Sequence, residues 1–126
     1  EAAASLRPIP PSKPLYITCN YRKTAGAPAG VYIGLKVNGI TVMDAQRVTS
    51  TRDQDEYGFA TWEVGGADAY GGRTAIMRWA TKDEKGQAGG TGRGLNKMVT
   101  DVTIYGRVDD ARITLGVSQL NVYSLP

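Results

Sequence analysis

Residues 31–42 read Val31-Tyr32-Ile33-Gly34-Leu35-Lys36-Val37-Asn38-Gly39-Ile40-Thr41-Val42. Apolar residues take alternate positions on both sides of Asn38-Gly39, which is the pattern of two half-buried strands. Asn-Gly is favoured in the type I′ turn because both central residues of that turn have positive φ. A two-residue turn pairs Val37 with Ile40 and Leu35 with Val42, so that all four side chains share a face. The stretch therefore predicts a β-hairpin packed against a core.

Similar strand patterns recur on both sides of this hairpin, separated by segments rich in glycine and polar residues. Strands are predicted over 15–22, 59–64, 73–81, 99–105, 112–117 and 120–124. No stretch has a helical period, and only 44–48 and 95–99 have room for a short helical turn. About seven or eight short strands predict an all-β fold, an antiparallel β-sandwich of jelly-roll-like type with little helix. Immunoglobulin-like connectivity fits the same pattern.

The N-terminal segment has a different composition from the rest of the chain. Residues 1–5 are typical of a tag or linker, and residues 6–14 contain four prolines. Proline fixes φ and removes a backbone donor, so 1–14 is predicted to be an extended arm that cannot join a sheet centrally. A proline-rich ligand for another domain is the alternative interpretation. The single β-sandwich domain is placed at 15–126.

Composition excludes several kinds of chemistry. The 126 residues include no His and one Cys, and the formal net charge is +3. Without His there is no Ser-His-Asp or Cys-His catalysis and no imidazole metal site. One Cys makes neither an internal disulfide nor a thiolate zinc cluster. Cys19 alternates with apolar residues, which indicates a buried structural thiol.

No motif in the chain selects a catalytic or metal site. Asp53, Asp55 and Glu56 bring carboxylates together, but the glycine that an EF-hand loop requires is not in its place. The glycines of 89–94 are followed by Leu95-Asn96 rather than by the Lys and Ser/Thr of a phosphate-binding loop. No carboxylate pair stands out by its spacing. The sequence therefore predicts no catalytic residue, no metal, no cofactor and no enzymatic activity.

The distribution of charge and hydropathy argues against nucleic acid as a partner and against a membrane-spanning segment. The basic residues are scattered rather than clustered with stacking aromatics, so nucleic acid is not a predicted partner. No apolar run approaches the roughly 18 residues of a membrane span. Trp62 and Trp79 alternate with other apolar residues and are predicted to lie in the core.

Binding by loops is the remaining hypothesis. Two glycine-rich segments, 65–72 and 82–94, are predicted to be loops, the second long and exposed. If they lie at one end of the sandwich, their aromatic and charged residues form one site. Tyr and Arg are enriched in binding hot spots. The candidate ligand-binding residues are Tyr57, Asp68, Tyr70, Arg73 and Arg93.

About two thirds of the chain, including the 31–42 hairpin by its position, resembles a known family. The run 72–79, which ends in Trp79, the glycine-rich segment after it, and the closing runs 111–115 and 118–123 resemble the jelly-roll heads of phage tail and virion appendage proteins. The resemblance implies a homo-oligomer, typically a trimer, that binds host-surface glycans or proteins from the virion surface. The chain departs from the pattern of this family in two ways: it lacks the Gly-x-His before the penultimate strand, and its segment 82–97 is longer and more basic. No site residue is transferred from the family.

The functional prediction is a non-enzymatic, lectin-like recognition domain that binds carbohydrate or a cell-surface receptor. It would act outside the cell, secreted or on a virion. One alternative is a secreted effector or toxin-like sandwich that binds a host protein. Another is a structural virion or assembly module whose N-terminal arm crosses to a neighbour.

Overall fold

The chain folds into strands joined by turns and crossing connections. The computed structural model describes residues 2–10, 13–65, 73–92 and 98–124. These residues contain nine strands: β1 Ala2–Ile9, β2 Leu15–Lys23, β3 Val31–Val37, β4 Ile40–Arg47, β5 Glu56–Val64, β6 Arg73–Thr81, β7 Lys85–Gly92, β8 Val99–Val108 and β9 Leu115–Ser124. Within the described residues, no helix is long and apolar enough to cross a membrane.

The strands form two sheets that face each other. One sheet has four strands in the order β1-β8-β3-β4, and the other has five in the order β7-β6-β5-β2-β9. Every pairing is antiparallel. Three hairpins, β3-β4, β5-β6 and β6-β7, stay within a sheet, whereas the other connections cross between sheets. The predicted all-β antiparallel sandwich is confirmed, with nine described strands rather than seven or eight.

The core lies between the sheets and follows the period-two alternation. Leu15, Ile17 and Cys19 on β2 are buried, whereas the next residue of the strand, Asn20, faces outward. Trp62 is fully buried, and Trp79 packs against the core from β6. The predicted inward faces of β2 and β5 and the core positions of both tryptophans are confirmed, whereas Ile40, predicted to share the core face of the hairpin, is exposed. Alternate apolar side chains from both sheets therefore fill the space between them.

The β3-β4 hairpin contains the predicted turn but not the whole predicted register. Asn38 and Gly39 have φ of 52° and 77°, as a type I′ turn requires, and Val37 pairs with Ile40. Leu35, however, pairs with Met43 rather than with Val42, because a bulge inserts an extra residue into β4. Val42 and Met43 are both buried as a result. The helical turn considered at 44–48 is wrong, since β4 continues to Arg47.

Strand β7 lies where the sequence predicts a long loop. It pairs with β6 along its length, from Lys85 to Gly92, and a short turn at 82–84 joins the two strands. Its glycines have a packing role: a Cβ at Gly86 would overlap the Trp79 ring, and a Cβ at Gly90 would overlap the carbonyl oxygen of Val42. Glycine occurs in strands where another group approaches the backbone closely. The sandwich closes here, with edge strand β7 against edge strand β4.

The N-terminal arm is extended as predicted, but it belongs to the sandwich. Residues 2–5 pair with 101–104 of β8, and Ile9 pairs with Val99 after an irregularity that contains Pro8. An edge position suits a proline-containing strand. Residues 2–5, predicted to be part of an extended arm, thus form an edge strand.

The C-terminal strands differ from the predicted ones at their boundaries. β8 continues through 106–108, where a turn is predicted, and the turn lies at 109–114 instead. β9 is one strand with a bulge at Gln119, whose φ is 53°, rather than two strands. The bulge keeps apolar side chains on the inner face on both of its sides.

Candidate functional site

The outer face of the five-stranded sheet collects exposed aromatic side chains. Because the odd-numbered residues of β2 point into the core, its even-numbered residues point to solvent, and the strand register extends this face across the sheet. We call this surface the aromatic face. Its side chains are those of Tyr16, Thr18, Asn20, Arg22, Tyr57, Phe59, Thr61, Glu63, Ile76, Arg78, Ser118, Asn121 and Tyr123.

Exposure distinguishes this face from the rest of the described surface. Six large hydrophobic residues are exposed among the described residues, and four of them lie here: Tyr57 (63%), Phe59 (54%), Tyr123 (52%) and Ile76 (37%). Single exposed apolar residues are common, whereas several on one face of a sheet are typical of an interaction surface. The outer face of the four-stranded sheet differs, because its Tyr32 and Tyr105 are half-buried under Arg107 and Lys36.

A groove lies at one corner of the aromatic face. The Arg22 guanidinium stacks over the Tyr57 ring, with its carbon 5.2 Å from the ring centroid. Beside Arg22, Gly116 of β9 has no side chain, and a Cβ placed there would meet no atom within 4 Å. The result is a cavity of about 420 Å³, lined among others by Asn20, Arg22, Tyr57, Gly116 and Ser118. The groove combines an aromatic wall with amide, hydroxyl and guanidinium groups.

A second aromatic cluster lies at the other end of the same face. The rings of Tyr16 and Tyr123 are 6.4 Å apart and tilted by 35°. Tyr16 precedes Arg22 by six residues on β2, which places the two ends of the face about 20 Å apart. At this end Glu63, which lies opposite Tyr16, pairs with Arg78 at 3.3 Å, and both side chains are about half exposed. The two charges of this ion pair largely neutralise each other.

A buried ion pair lies on the inner side of the sheet, behind the groove. Lys23 is completely buried, and its Nζ lies 2.7 Å from Glu56 Oε2. The same Nζ donates hydrogen bonds to the carbonyl oxygens of Ala29, Ser50 and Arg52, at 3.2, 3.1 and 2.8 Å. Glu56 also accepts hydrogen bonds from the Ser50 amide and hydroxyl, at 3.1 and 2.8 Å. All of these partners are main chain or buried, so the pair ties the 49–55 segment to β2 and β5.

The carboxylates considered as calcium ligands have structural partners. Asp53 Oδ1 accepts a hydrogen bond from the Gly26 amide at 2.8 Å, and Asp55 Oδ1 accepts one from the Ala25 amide at 2.6 Å. Glu56 is held by Lys23. Across the described ranges, no group of three or more His, Cys, Asp or Glu side chains is arranged to hold a metal ion. Asp53 and Asp55 instead join the 49–56 segment to the 24–30 segment, and Glu56 joins it to β2.

Acid is expected to weaken this attachment. Burial raises the pKa of Glu56, but the hydrogen bonds with Lys23 and Ser50 together lower it by more. The pKa of Glu56 in the folded protein therefore lies below the ordinary value of 4.5. A carboxyl whose pKa is lower in the folded state stabilises the fold above its unfolded pKa, and this contribution is lost as the pH falls through the folded pKa. We expect the urea concentration at the unfolding midpoint to decrease as the pH is lowered from about 5 to about 3, through and below the ordinary pKa of a glutamate side chain. In Glu56→Gln that fall should be smaller, and an equal fall would show that other groups cause it.

Cys19 carries no reactive thiol. It is buried in the core, and burial raises the pKa of its thiol to about 12. A nucleophilic cysteine needs a lowered pKa and access to solvent. The prediction of a structural cysteine agrees with this placement.

The five sequence-predicted site residues do not form one described cluster. Tyr57 lies on β5 beside Arg22, whereas Arg73 begins β6 and pairs with Gly92. Since Gly58 pairs with Thr81 at the far end of β6, about 27 Å of strand separates the two positions. Asp68, Tyr70 and Arg93 lie outside the described residues. Tyr57 is therefore the predicted residue that belongs to the aromatic face.

The predicted meeting of two loops is partly replaced by strand β7. Residues 85–92 are paired, and the turn at 82–84 lies at the same end of the sheet as Tyr57. Gly65, Arg73 and Gly92, which flank the undescribed segments, lie together at the opposite end. An aromatic face was not predicted, although alternation puts Phe59 on the face of the sheet away from Trp62, and Arg22 on the face away from Tyr21. What the alternation lacks is the non-local pairing that brings β9, with Gly116 and Tyr123, beside β2.

The comparisons with known proteins add no family to this description. No protein-family model, no curated protein and no solved structure matches the chain.

Proposed function

We propose that the chain is a non-enzymatic recognition domain that binds carbohydrate on the aromatic face, with the groove beside Gly116 as its central contact. The observation that carries the proposal is the exposure of Tyr57, Phe59 and Tyr123 on one face together with neutral hydrogen-bonding side chains. Sugar rings present flat C–H surfaces and a rim of hydroxyl groups. Exposed aromatic rings pack against the C–H surfaces, and amide, hydroxyl and guanidinium groups bond the hydroxyls.

The electrostatics of the face favour a neutral or weakly charged ligand. Arg78 and Glu63 pair with each other, and Arg22 lies over Tyr57. A polyanion such as nucleic acid is usually bound by several clustered Lys and Arg residues. A glycan of a cell surface agrees with these groups and with a domain that acts outside the cell or on a virion.

Recognition of a cell-surface or host protein is the second candidate. Ile76 adds an aliphatic side chain to the same face, and Tyr and Arg are enriched in protein-binding hot spots. The two candidates share the face and differ in ligand. A glycan array and a pull-down from host membrane extract with the same protein therefore distinguish them.

Filling the groove tests the proposed site. In Gly116→Leu the new side chain enters open space, so the fold is retained while the groove is blocked. We expect the dissociation constant for the best glycan of the array to rise about tenfold or more, which corresponds to about 1.4 kcal/mol. Isothermal titration calorimetry measures the change.

Gly89→Leu is the matched control. Gly89 also faces open space, but it lies on edge strand β7 near Ile76, away from the groove. The Gly89→Leu variant should bind the glycan with the same affinity as the unmodified chain. Equal affinity of Gly116→Leu and the unmodified chain would remove the groove from the binding site. Absence of glycan binding together with a protein captured through the aromatic face would support the second candidate instead.

A further inference from the structure

A strip of uncharged side chains runs along the aromatic face over strands β2 and β9. It joins the groove beside Arg22 to the ring pair of Tyr16 and Tyr123 at the other end of the face. We call it the neutral strip. Its side chains between the two ends are those of Thr18, Asn20, Ser118, Gln119 and Asn121. The strip is about 20 Å long, because each of the six strand positions from Tyr16 to Arg22 adds about 3.3 Å.

The centre of the neutral strip is an amide cluster built around the bulge of β9. Gln119 has a φ of 53°, in the left-handed region that residues with a side chain seldom adopt. Its Oε1 accepts a hydrogen bond from Asn20 Nδ2 at 2.7 Å, and its main-chain oxygen accepts one from Asn121 Nδ2 at 3.2 Å. The bulge residue therefore orients the side-chain amides of both asparagines. Backbone conformations of this kind concentrate at functional sites, where the surrounding fold holds them.

The amide cluster keeps hydrogen-bonding capacity for a ligand. The side chains of Asn20, Gln119 and Asn121 are exposed. An asparagine or glutamine amide has one acceptor oxygen and two N–H donors. Beyond their mutual hydrogen bond, Asn20 Oδ1 and the Gln119 Nε2 donors have no protein partner within the described residues. An acceptor and a donor that lie side by side suit a hydroxyl group, which both donates and accepts.

The spacing along the neutral strip favours an extended ligand. Asn20 lies two residues from Arg22, and Asn121 lies two residues from Tyr123, so the cluster is about 7 Å from each aromatic end. A pyranose ring linked through opposite positions advances a chain by roughly 5 Å, since its bonds are about 1.5 Å long. A chain of about four rings therefore spans the strip. A disaccharide reaches only one of the two aromatic ends.

We propose that the ligand of the aromatic face is a linear, neutral oligosaccharide of about four or more units, which lies along the neutral strip. This inference rests on the proposed function and names its ligand class. The groove at Tyr57 holds one end of the bound segment, and the rings of Tyr16 and Tyr123 pack against the other end. The amide cluster bonds the hydroxyl groups of the units between them. Since Arg22 is the one charged residue of the strip and its ends, an uncharged chain is favoured over a polyanion.

The dependence of affinity on ligand length tests the inference. The probes are cello-, manno- and malto-oligosaccharides, each from the disaccharide to the hexasaccharide, and isothermal titration calorimetry measures their affinities. In one of the two extended series, cello or manno, we expect the affinity to rise about tenfold or more from disaccharide to tetrasaccharide and to change little beyond it. Malto-oligosaccharides curl rather than extend, so their affinity should gain less with length.

Two variants separate the neutral strip from the groove. Gln119→Gly removes the central amide but places at the positive φ a residue that adopts it readily, so the bulge is retained. It should weaken tetrasaccharide binding about fivefold, the equivalent of about one net hydrogen bond, and leave disaccharide binding unchanged. Tyr123→Ala truncates an exposed ring and should weaken tetrasaccharide binding about tenfold. Gln87→Ala is the control on β7, outside the strip, and should bind every length normally.

The outcomes distinguish this inference from the proposed function. Equal affinity for disaccharide and hexasaccharide in every series, with binding lost in Gly116→Leu, would overturn the inference and support a short ligand in the groove. Unchanged tetrasaccharide affinity in both Gln119→Gly and Tyr123→Ala would also overturn it, as would a failure of all these probes to bind. The proposed function itself fails only if no glycan of the array binds at the aromatic face.

Discussion

Replacing Lys23 by Met is expected to lower the free energy of unfolding by about 3–5 kcal/mol, the cost of breaking a buried ion pair by removing one partner. Lys23 is fully buried and donates to Glu56 and to three carbonyl oxygens. Met fills a similar volume but donates nothing. Glu56 would then remain buried without its cation, and the three carbonyls would lose a donor. Urea unfolding at pH 7 measures the change.

The double variant Lys23→Met/Glu56→Met separates the charge effect from the lost hydrogen bonds. It contains no isolated buried charge, so its destabilisation should be smaller than the sum of the two single changes by about 0.5–3 kcal/mol, the range for residues in direct contact. Additive effects would mean that Lys23 and Glu56 contribute independently. The account of the buried pair would then be wrong.

Replacing Gly90 by Val is expected to destabilise the sandwich by about 1–3 kcal/mol, the usual cost of overpacking a well-packed site. A Cβ at Gly90 overlaps the carbonyl oxygen of Val42 and lies 3.0 Å from Met43 Cε. The first of these is a backbone atom, so the two sheets must separate locally to admit the side chain. Thermal unfolding followed by circular dichroism measures the loss.

The adjacent substitution Gly89→Val is the control for Gly90→Val. Gly89 points to open space on the opposite face of the same strand. Valine there should be neutral or stabilising, because β-branched residues are favoured in strands and glycine is not. Equal destabilisation by both variants would show that β7 requires glycine for its backbone rather than for the approach of β4.

Local pattern was sufficient to predict most of the fold. Alternation placed Leu15, Ile17 and Trp62 in the core, and Asn38-Gly39 gave the correct turn. It did not reveal the bulge at Val42 and Met43, because both residues are apolar and either one completes the pattern. A one-residue bulge is decided by packing against the other sheet.

Strand β7 was missed because its signal is the size of its side chains rather than their hydropathy. Gly86, Ala88 and Gly90 are small residues at alternate positions, and they face Trp79 and β4. Lys23 was missed for a related reason. Lys23 follows Leu15 to Tyr21 at the next inward position of β2. However, a lysine is rarely buried without a paired charge, and its partner Glu56 is distant in sequence, so local pattern does not predict the burial.

The candidate site depends on pairing that the sequence does not specify. Alternation correctly directs Asn20, Arg22 and Phe59 away from the core. The groove, however, exists because β9 lies beside β2 and places Gly116 next to Arg22. This contact joins residues about 94 positions apart, and local periodicity carries no information on such a pairing.

Mapping a bound glycan by NMR tests the central claim most directly. Amide shifts of the uniformly ¹⁵N-labelled chain are recorded while the best glycan of the array is added. The account predicts that the largest shifts occur on the aromatic face, at Arg22, Tyr57, Phe59, Gly116 and Ser118. Shifts centred on Tyr32 and Tyr105 of the other sheet, or on the sheet end at Gly65 and Arg73, would contradict it.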